Sequence, residues 1–598
     1  MKNILITTSL KETFPDEPTN LILLGDWCRL YKEKKFFENN IYSIIEYHYD
    51  DTQKILDDFE DFKIIYEKVL NELSEVLNNL HGLSYSKRYW QISIGFWLGL
   101  FIQIIYDRYF MIKKVFDNKN IDEVFLIKTK EEDIVPNNSL DFFQFAGSSD
   151  DWNEKIFSEI ISFLKPKIKI SFIEKEIINI KSEKNNLYYF FKKKLNRLIR
   201  NSLSLATKYM GNKSIVLYAI NVNFISKIKL LFFSKSIFRA YDLKNDFHFK
   251  YDQLKRNFIK DNLKFIDKEN NQFLELLNIL IPKYIPKIFV EGYQNAHFLI
   301  NKSGLPSNSK VIFTDNACIF NDLFKLWAAK QVENSSKLII GQHGGHYGTC
   351  KFFFSQDYEI EISDKFLTWG WSMDNNKSKL IPFGAYCLLN KKHFLNKKNK
   401  KNILLVETSF PRYFYQFHSF PLSASQYKYY SEFIFKFISH IPPELRKNFL
   451  VRLDIDKGLK IYKKNIWNDK FPDIKISRIH KNIINDYNES KIVISTYNAT
   501  TYLETLSLNI PTLIFWDEKY FQLNDDVKIY FDLLKDVHIF FTDPKAASLH
   551  LLEIWDNIEK WWLTEDVQEV RKIFCSQFAN TNGLNIRKFY ELISKNKT

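Results

Sequence analysis

The feature that most constrains the fold of this 598-residue chain is an alternation of short apolar runs with longer amphipathic segments, present in two series. The first series contains "KIFVEGY", "KVIFTD", "IFNDLFKLWAAKQVEN", "KLIIGQHGG" and "KFLTWGW", and the second runs from "NILLVET" to "TLIFW". Apolar runs that alternate with helices form parallel strands, because two parallel strands need a long connection between them. The lysine-rich stretch "NKKHFLNKKNKKN" separates the two series. The sequence therefore predicts an α/β fold of two doubly wound, Rossmann-type units joined by a linker.

Two Rossmann-type units that face a cleft form the architecture called GT-B, which is the fold class we expect. The predicted divisions are an N-terminal α/β domain over 1–390 with helical insertions at about 52–114 and 174–260, a linker over 391–402, a C-terminal α/β domain over 403–545, and helices over 546–598 that pack back. The start "MKNILITTSL" predicts a strand and lacks the features of a signal peptide. The apolar window "ISIGFWLGLFIQII" is too short to span a bilayer and predicts a buried helix.

The charge balance favours acidic partners. The chain has 85 Lys and Arg against 71 Asp and Glu, a formal net charge of +14, which suits nucleotides, phosphorylated or carboxylated substrates, or an anionic membrane surface. Within "YYFFKKKLNRLIRN", Lys192–Arg200 mixes basic residues with Phe and Leu, so this segment either contacts an anionic membrane or forms a solvated helix face. Five scattered cysteines without metal-binding spacing predict a cytoplasmic protein with no disulfide and no structural zinc.

Candidate site residues follow the predicted strands, because ligands of open α/β sheets bind outside the carboxyl ends of the strands. In the N-terminal half these residues are Glu291, Asp315, Gln342, His343, Gly344 and Gly345. In the C-terminal half they are Arg452, Ser495 and Thr496, together with Thr500, Thr501 and Glu504 on the helix that follows. Both groups are expected to face one cleft between the two units.

The segment "VISTYNATTYLETLSLNIPTLIF" gives the stronger indication of a nucleotide site. Hydroxyl residues at the start of a helix can donate hydrogen bonds to a phosphate, which the helix dipole also attracts. Glu504 lies about one turn into this helix, where its carboxylate can accept hydrogen bonds from ribose hydroxyls. Arg452 on the neighbouring strand can bind a phosphate or a donor carboxylate. The alternative is a capped helix with a surface glutamate.

Several stretches are more specific. The spacing of Glu504, Leu506 and Pro511 after a serine-rich strand end is similar to the nucleotide-sugar half of many GT-B glycosyltransferases. The blocks "LGDWCRLY", "RYWQISIGFWL", "GQHGGHYG" and "SDKFLTWGWS" resemble a family of transferases from bacterial O-antigen and surface-polysaccharide loci. The chain is more distantly similar to CMP-Kdo-type transferases and teichoic-acid polymerases, whose corresponding loop also carries a histidine beside glycine. The resemblance implies a transferase with an acceptor-side N-terminal domain and a nucleotide-donor-binding C-terminal domain.

In a glycosyl or polyol-phosphate transfer the acceptor hydroxyl loses a proton as it attacks, and a histidine suits the role of base. His343 directly follows the predicted strand and is the first candidate, and His346, further along the loop, is the second. Asp315 and Glu291 are the carboxylate alternatives, as base, nucleophile or orienter of His343. In the structural alternative, His343 only bonds neighbouring backbone and shapes the loop.

The glycines of the same loop have a predicted binding role. Gly344 and Gly345 let the backbone approach the donor phosphate or the acceptor, and their N–H groups can bind an anion. No pair of aspartates follows a strand in a setting that suits Mg²⁺ on a diphosphate, so we expect catalysis without a metal or another cofactor.

The leading hypothesis is a glycosyltransferase of surface-polysaccharide (O-antigen or capsule) biosynthesis. It would transfer a sugar, such as a Kdo-like or nonulosonic acid from a CMP donor, to a glycan or a lipid-linked acceptor. The alternatives are a CDP-polyol phosphotransferase and a non-catalytic glycan-assembly scaffold. We expect a cytoplasmic protein, peripheral on the inner membrane, with no nucleic-acid partner.

Overall fold

The computed structural model describes most of the chain. The residues outside the description are 18, 176–211, 223–225, 231–235, 240–247, 266–270, 374–377, 390, 392–394, 396–399, 409, 454–461, 478–481 and 597–598. The predicted membrane-contacting segment Lys192–Arg200 and most of the predicted linker lie outside the described residues.

The first unit is a parallel sheet of five strands in the spatial order β3–β2–β1–β4–β5. Its strands are β1 (Asn3–Ile6), β2 (Asn20–Leu23), β3 (Tyr42–Ile44), β4 (Glu123–Lys128) and β5 (Lys169–Glu174). Its helices are α1 (Lys34–Glu38), α2 (Thr52–His81), α3 (Lys87–Trp90), α4 (Phe96–Asn118), α5 (Glu131–Ile134), α6 (Ser139–Ser148) and α7 (Asp150–Leu164). Helix α2 begins after Asp51, whose carboxylate accepts hydrogen bonds from two N–H groups of the first turn, and ends at Gly82 in the left-handed conformation.

The second unit is a parallel sheet of six strands in the order β11–β10–β9–β8–β6–β7. Its strands are β6 (Asn212–Tyr218), β7 (Ser236–Arg239), β8 (Val311–Thr314), β9 (Lys337–Gly341), β10 (Lys365–Thr368) and β11 (Leu380–Pro382). Its helices are α8 (Gln253–Asn262), α9 (Gln272–Tyr284), α10 (Tyr293–Lys302), α11 (Ala317–Phe320), α12 (Asp322–Glu333) and α13 (Phe354–Ile362). Strands β8, β9 and β10 are adjacent, so Asp315, Gln342 and Trp369 follow them at one edge of the sheet.

The third unit is a parallel sheet of six strands in the order β14–β13–β12–β15–β16–β17. Its strands are β12 (Asn402–Val406), β13 (Phe449–Arg452), β14 (Lys475–Ile476), β15 (Ser490–Ser495), β16 (Thr512–Phe515) and β17 (Phe540–Phe541). Its helices are α14 (Ala424–Ser439), α15 (Pro443–Arg446), α16 (Lys463–Lys470), α17 (Ile483–Glu489), α18 (Thr500–Ser507) and α19 (Lys528–Asp536). Val406 is in register with Arg452 on one side and with Ser495 on the other, which fixes the carboxyl edge of this sheet.

The terminal helices are α20 (Pro544–Ile554), α21 (Ile558–Trp562), α22 (Glu565–Phe578) and α23 (Ile586–Lys595). Helix α22 packs on α18 and α19 of the third unit, whereas α23 packs on the second unit, where the Phe589 ring lies 5.0 Å from that of Phe313. The chain between them bonds to the second unit, because the Asn580 carbonyl accepts the N–H of Ala385 at 2.7 Å. The end of the chain therefore joins the second and third units.

The predicted α/β class with parallel sheets is confirmed, and the second and third units are the two Rossmann-type units that the sequence predicts. The first unit is an additional parallel sheet within 1–390, which was described from sequence as one α/β domain. The predicted helical insertion at 174–260 contains strands β6 and β7. Strand β6 lies between β8 and the edge strand β7, and its residues from Ile215 to Tyr218 are buried. It therefore has a continuous apolar run without alternation, which is also compatible with a buried helix.

The predicted strand "KIFVEGY" is wrong. Residues Lys287–Phe289 form a single 3-10 turn after Pro286, and the N–H groups of Lys287 and Ile288 bond to the carbonyls of Pro136 and Asn137 in a loop of the first unit. The apolar run is buried because it lies between two units, and a run of this length does not by itself distinguish a strand from a buried turn.

One helical stretch among the described residues, Lys87–Asn118, is long and apolar enough by length and composition to cross a membrane. Its most apolar window is completely buried inside the protein, where it packs against α2 and α7. A core helix passes the same test, and the packing agrees with the buried helix predicted for this region.

Candidate active site

The loop that follows β9, residues 342–350, is held in place by Gln342. Its side-chain oxygen accepts hydrogen bonds from the N–H of Trp369 and the indole of Trp371, both at 2.8 Å, and its amide group donates to the Gly344 carbonyl at 2.8 Å. Gln342 is 1% exposed. These three hydrogen bonds of the Gln342 side chain fix the start of the loop at the edge of the sheet. They thereby also fix the position of His343, the next residue.

His343 lies against a buried carboxylate on α13. Its Nδ1 atom is 3.8 Å from Oε1 of Glu359, and the Tyr347 hydroxyl lies 3.3 Å from the Nε2 atom of the same ring. Tyr347 donates a hydrogen bond to Oε2 of Glu359 at 2.6 Å, whereas Oε1 has no hydrogen-bond partner among the described residues. The His343 side chain remains 25% exposed. The His343 ring is therefore partly accessible to a ligand, and the carboxyl group of Glu359 lies next to it.

Burial sets the protonation of this pair. Desolvation lowers the pKa of the His343 imidazole to about 4 and raises the pKa of the Glu359 carboxyl well above its usual range. At neutral pH His343 is consequently uncharged and can accept a proton. A proton taken up by His343 would favour ionisation of Glu359, because the two groups lie close together in a buried setting.

Asp315 follows β8 at the same edge and is completely buried. Its carboxylate accepts hydrogen bonds from the Tyr386 hydroxyl and the Asn221 N–H, and burial raises its pKa to about 7. A Cβ atom at Gly341 would lie 2.6 Å from Oδ1 of Asp315, so a glycine is required beside this carboxylate. Asp315 is thus a buried, hydrogen-bonded carboxylic acid beside the loop that carries His343.

The loop also touches the third unit directly. The Gly345 N–H donates to the Thr500 hydroxyl at 3.1 Å, and Nδ1 of His346 lies 2.6 Å from the Asn498 carbonyl oxygen. A Cβ atom at Gly345 would lie 2.4 to 2.6 Å from the backbone of Ala499 and Thr500. This glycine therefore permits close contact between the two units, and its N–H is used by Thr500. His346 is partly exposed, and burial lowers its pKa to about 4.

The N-terminus of α18 carries the predicted nucleotide site. No side chain caps this helix at Ala499. Glu504 is 5% exposed, and its Oε1 atom accepts a hydrogen bond from Lys391 at 2.9 Å. The Thr501 hydroxyl bonds to that of Tyr497 at 2.7 Å. The start of α18 thus has no capping side chain at Ala499 and lies close to Gly345 and to a lysine–glutamate pair.

Three further predicted donor residues are occupied by contacts within the third unit. The Ser495 hydroxyl donates to the Tyr497 carbonyl at 3.3 Å, and the Thr496 hydroxyl donates to the Val406 carbonyl at 2.9 Å. Both residues are buried, so the structure does not bring their hydroxyls to the cleft. Arg452 forms an ion pair of 2.5 Å with the buried Asp486 and is 21% exposed.

The structure places Glu291 away from this site. Its carboxylate forms an ion pair with Arg256, with Nε to Oε1 at 2.7 Å and Nη2 to Oε2 at 3.0 Å. Both side chains are buried, and no strand ends at Glu291. The position of Glu291 in the predicted cleft is wrong because the strand that would have delivered it is a turn.

Sequence reasoning missed four residues of the site, Glu359, Tyr347, Tyr386 and Lys391. Tyr347 lies four residues after His343, which was the available signal, whereas Glu359 is one of three acidic residues in α13 and is not distinguished by the sequence. Among the described residues, no group of three or more His, Cys, Asp or Glu side chains is placed to hold a metal ion.

Two Rossmann-type units joined across a histidine loop and a helix N-terminus define an α/β protein of GT-B-like architecture. The family model described as "LIC12162 family transferase" matches residues 3–591, so the chain belongs to this family and is a transferase. The sequence-based identification of a transferase is confirmed. No curated protein matches the chain.

Several solved structures are similar to the chain at low identity. The wall teichoic acid polymerase TagF is 10% identical with a TM-score of 0.32, over 69% of this chain and 99% of that chain. A glycosyltransferase from Rickettsia africae ESF-5 is 14% identical with a TM-score of 0.33, over 64% of this chain and 100% of that one. TarM is 10% identical with a TM-score of 0.32, over 51% of this chain, and the match spans little more than half of TarM, 57%. These values say nothing about ligands.

Proposed function

We propose that the protein is a glycosyltransferase of surface-polysaccharide biosynthesis that moves a sugar from a nucleotide-activated donor to a glycan or a lipid-linked acceptor. The observation that carries the proposal is the contact of Gly345 and His346 with the start of α18. This contact places the His343–Glu359 pair beside the uncapped helix N-terminus, where a nucleotide phosphate is favoured. Membership of a transferase family supports a group-transfer reaction at this site.

In the proposed reaction His343 acts as the base. The oxygen of the acceptor hydroxyl forms a bond to the anomeric carbon of the donor, the bond from that carbon to the phosphate oxygen breaks, and the nucleotide leaves with the electron pair. The hydroxyl proton passes to His343, and the resulting imidazolium, 3.8 Å from Oε1 of Glu359, favours ionisation of that carboxyl group. Asp315 lies at the same edge of the sheet, where its carboxyl group is hydrogen-bonded to Tyr386 and Asn221.

The leaving nucleotide needs positive charge, which we assign to Lys391 and the helix dipole of α18. Lys391 already forms an ion pair with Glu504, with 2.9 Å between Nζ and Oε1. Glu504 retains its proposed role of accepting hydrogen bonds from the ribose hydroxyls. The proposal needs no metal ion, and turnover that is unchanged by a chelator would support this part. A CMP-linked Kdo-like or nonulosonic acid is our first choice of donor, and the cytoplasmic face of the inner membrane is the proposed location.

A thermal-shift screen tests the proposal. Free CMP, CDP, UDP and GDP, and then their sugars, are titrated into the full chain, because a ligand that binds only the native state raises the melting temperature. One responding base identifies the donor class, and the mass of the product formed with that donor separates transfer of a sugar from transfer of a polyol phosphate. A complete lack of response to every nucleotide would contradict the proposal and favour a scaffold.

A further inference from the structure

The chain crosses from the third unit to the second in residues 576–580, which we call the crossing segment. It begins in the last turn of α22, which packs on α18 and α19, and leads toward α23 on the second unit. The Asn580 N–H donates to the Trp369 carbonyl at 3.0 Å, and the Asn580 carbonyl accepts the N–H of Ala385 at 2.7 Å. Asn580 is therefore bonded to the loops that follow β10 and β11, two adjacent strands of the second sheet.

Two glycines of the second unit permit this close approach. A Cβ atom at Gly370 would lie 2.5 Å from the Ser576 carbonyl oxygen, and a Cβ atom at Gly384 would lie 2.6 Å from the Asn580 carbonyl oxygen. Both glycines also have positive φ values, 138° and 119°, which other residues rarely adopt. Space and backbone conformation thus both require glycine where the crossing segment meets the second unit, so the path of this segment is tightly defined.

The tryptophan turn, residues 369–371, contacts the start of the loop that carries His343. The Trp369 N–H and the Trp371 indole both donate to the side-chain oxygen of Gln342 at 2.8 Å. The Trp369 indole also donates to the Gln342 carbonyl at 3.0 Å. Because Gln342 directly precedes His343, these buried hydrogen bonds fix the backbone from which the His343 side chain projects.

The tryptophan turn also contacts the far end of the same loop. Gly348 has a φ of 76°, and a Cβ atom there would lie 2.4 Å from the Trp371 ring. The Gly348 N–H donates at 2.7 Å to the side chain of Gln356 on α13, the helix that carries Glu359. The turn therefore supports the loop on both sides of His343, and the crossing segment supports the turn.

Helix α22 also supports the helix at which a nucleotide is proposed to bind. The Arg571 guanidinium of α22 donates at 2.9 Å to the Leu506 carbonyl near the end of α18. The rings of Phe574 on α22 and Tyr502 on α18 lie 6.1 Å apart between centroids. The same helix therefore contacts the donor side through α18 and the His343 side through the crossing segment.

We infer that the crossing segment positions His343 through the tryptophan turn. Asn580, Gly370 and Trp369 are positioning residues in this arrangement, because they act on His343 through Gln342. The positioning itself follows from these contacts, whereas its effect on turnover rests on the proposed base role of His343. A displacement of about 1 Å at a catalytic group can lower a rate by about a hundredfold, so the path of the crossing segment affects the chemistry.

Carbethoxylation of histidines by diethyl pyrocarbonate, measured on the full chain by mass spectrometry, tests this inference without a substrate. Gly370→Ala adds a Cβ atom against the crossing segment, and Trp369→Phe removes the indole donor to Gln342 while it keeps an aromatic ring. Each should raise the modification rate of His343 by about tenfold, since the loss of one buried hydrogen bond shifts a local opening equilibrium by about that factor. His440, at the end of α14, is the reference within each protein.

Gly583→Ala is the matched control. Gly583 also has a positive φ, 65°, but a Cβ atom there would meet only the end of the Lys588 side chain, at an ordinary 3.5 Å. Native-state hydrogen exchange of the wild-type chain is a second measurement, which decides the question if Gly370→Ala does not fold. The N–H groups of Asn580, Trp369 and Gly348 should exchange with one common dependence on denaturant, because the three segments open together.

The expected result is faster modification of His343 in Gly370→Ala and Trp369→Phe and a wild-type rate in Gly583→Ala. A wild-type rate in Trp369→Phe and in folded Gly370→Ala would overturn the inference. An equal increase in Gly583→Ala, or exchange of the Gly348 amide independently of the Asn580 amide, would overturn it as well.

Turnover of the nucleotide sugar that gives the thermal shift separates this inference from the proposed function. Faster modification of His343 with a lower kcat and an unchanged KM for the donor supports both. Faster modification with an unchanged kcat retains the positioning and contradicts the base role of His343. A lower kcat with wild-type modification rates contradicts the positioning alone.

Discussion

His343 and His346 lie three residues apart in one loop, and the structure gives them different surroundings. His343 contacts Glu359 and Tyr347 and keeps an exposed fraction of 25%. His346 bonds to the Asn498 carbonyl and stacks on Phe420 at 5.0 Å between ring centroids. Only His343 combines access with a carboxylate partner, so the proposed base role belongs to it.

We expect His343→Ala to lower kcat by about 10² to 10⁴ with nearly unchanged donor affinity, because a positioned base contributes mainly to the chemical step. His346→Ala is the matched comparison, and it should alter the contact between units and change kcat less. Turnover and nucleotide binding of both folded variants are the measurements. Near-normal turnover by His343→Ala would transfer the base role to Asp315 or His346 and leave the loop as a binding element.

Glu504→Ala should weaken nucleotide binding by roughly one to two decades, since a hydrogen bond to a charged group contributes about 1.5 to 3 kcal/mol. The control is Glu518→Ala, which removes a comparable ion pair of 3.0 Å with Lys535 at an exposed position. Calorimetric titration of the responding nucleotide measures both. Identical titration curves for Glu504→Ala and wild type would contradict the assignment of Glu504 to the nucleotide-binding site.

Arg452→Ala should weaken nucleotide binding as well, but it also removes an ion pair of the buried Asp486. Removal of one partner of a buried pair destabilises a protein by about 3 to 5 kcal/mol, so this variant needs a stability measurement before its affinity is interpreted.

Asp315 gives stability a pH dependence with a defined sign. Its pKa in the folded protein is about 7, above the value of about 3.9 in an unfolded chain. Its contribution is therefore fully present below the unfolded pKa and is lost as pH rises through 7. We expect the melting temperature to fall between about pH 4 and 7, and Asp315→Asn to remove a part equivalent to at most about 4 kcal/mol. Asp525→Asn, at a 67% exposed side chain, should leave the slope unchanged.

Sequence reasoning placed His343 and Asp315 at the carboxyl edge of one sheet, where the structure has them, because the rule about strand ends needs only the order of strands and the residues that follow them. It could not find Glu359 or Tyr386, which reach the site from α13 and from a turn after β11. Their approach depends on tertiary packing, and no local spacing encodes it. The same limit explains why the hydroxyls of Ser495 and Thr496 were expected in the cleft, although they are buried in the third unit.

At the scale of elements, the site depends on the contact between the loop after β9 and the start of α18. Gly344 and Gly345 of the loop differ sharply in this contact. A Cβ atom at Gly345 would overlap the backbone of Ala499 and Thr500, whereas at Gly344 its nearest neighbour would be Tyr347 at an ordinary 3.6 Å. Glycine at position 345 thus permits close packing of the loop on α18, whereas position 344 has room for a Cβ atom.

Gly345→Ala should therefore separate the loop from α18 and destabilise the protein by about 1 to 3 kcal/mol, the range for added atoms in a packed contact. Gly344→Ala is the matched control and should change stability by less than about 1 kcal/mol. Thermal unfolding and turnover of both variants are compared with wild type. Equal stability of the two variants would mean that the loop moves freely against α18.

Most of the strands predicted from short buried apolar runs are strands, and one is not. Helix α14 and strands β8, β9, β12 and β15 lie where their patterns indicate. The run "KIFVEGY" is apolar because it is buried between units, and a short apolar run does not specify a strand. Strand β6 was missed because its apolar run lies in a Lys- and Asn-rich surrounding that favoured a helical insertion.

At the scale of the whole molecule, three parallel sheets take the place of the two that the repeated series predicted. The first sheet lacks a regular alternation in sequence, because the long helices α2 and α4 separate β3 from β4. Its junction with the third unit forms a cavity lined by Tyr427, and α23 joins the chain's end to the second unit. The additional unit thereby adds a ligand-sized space at its junction with the third unit.

A lipid-linked acceptor would require the whole molecule to work at a membrane surface, and the segment Lys192–Arg200 is the predicted point of contact. Lysine and arginine beside Phe and Leu can bind anionic lipid by charge and by shallow insertion, and exposed charges are screened beyond about 8 Å at physiological ionic strength. We therefore expect flotation with anionic liposomes that weakens as salt rises, and loss of flotation when Lys192, Lys193 and Lys194 are replaced by glutamine. Replacement of Lys397, Lys398 and Lys401 removes the same charge from a region without this aromatic run and should leave flotation unchanged. Equal binding to neutral and anionic liposomes, or equal loss in both triple variants, would show that this segment does not direct the protein to membranes.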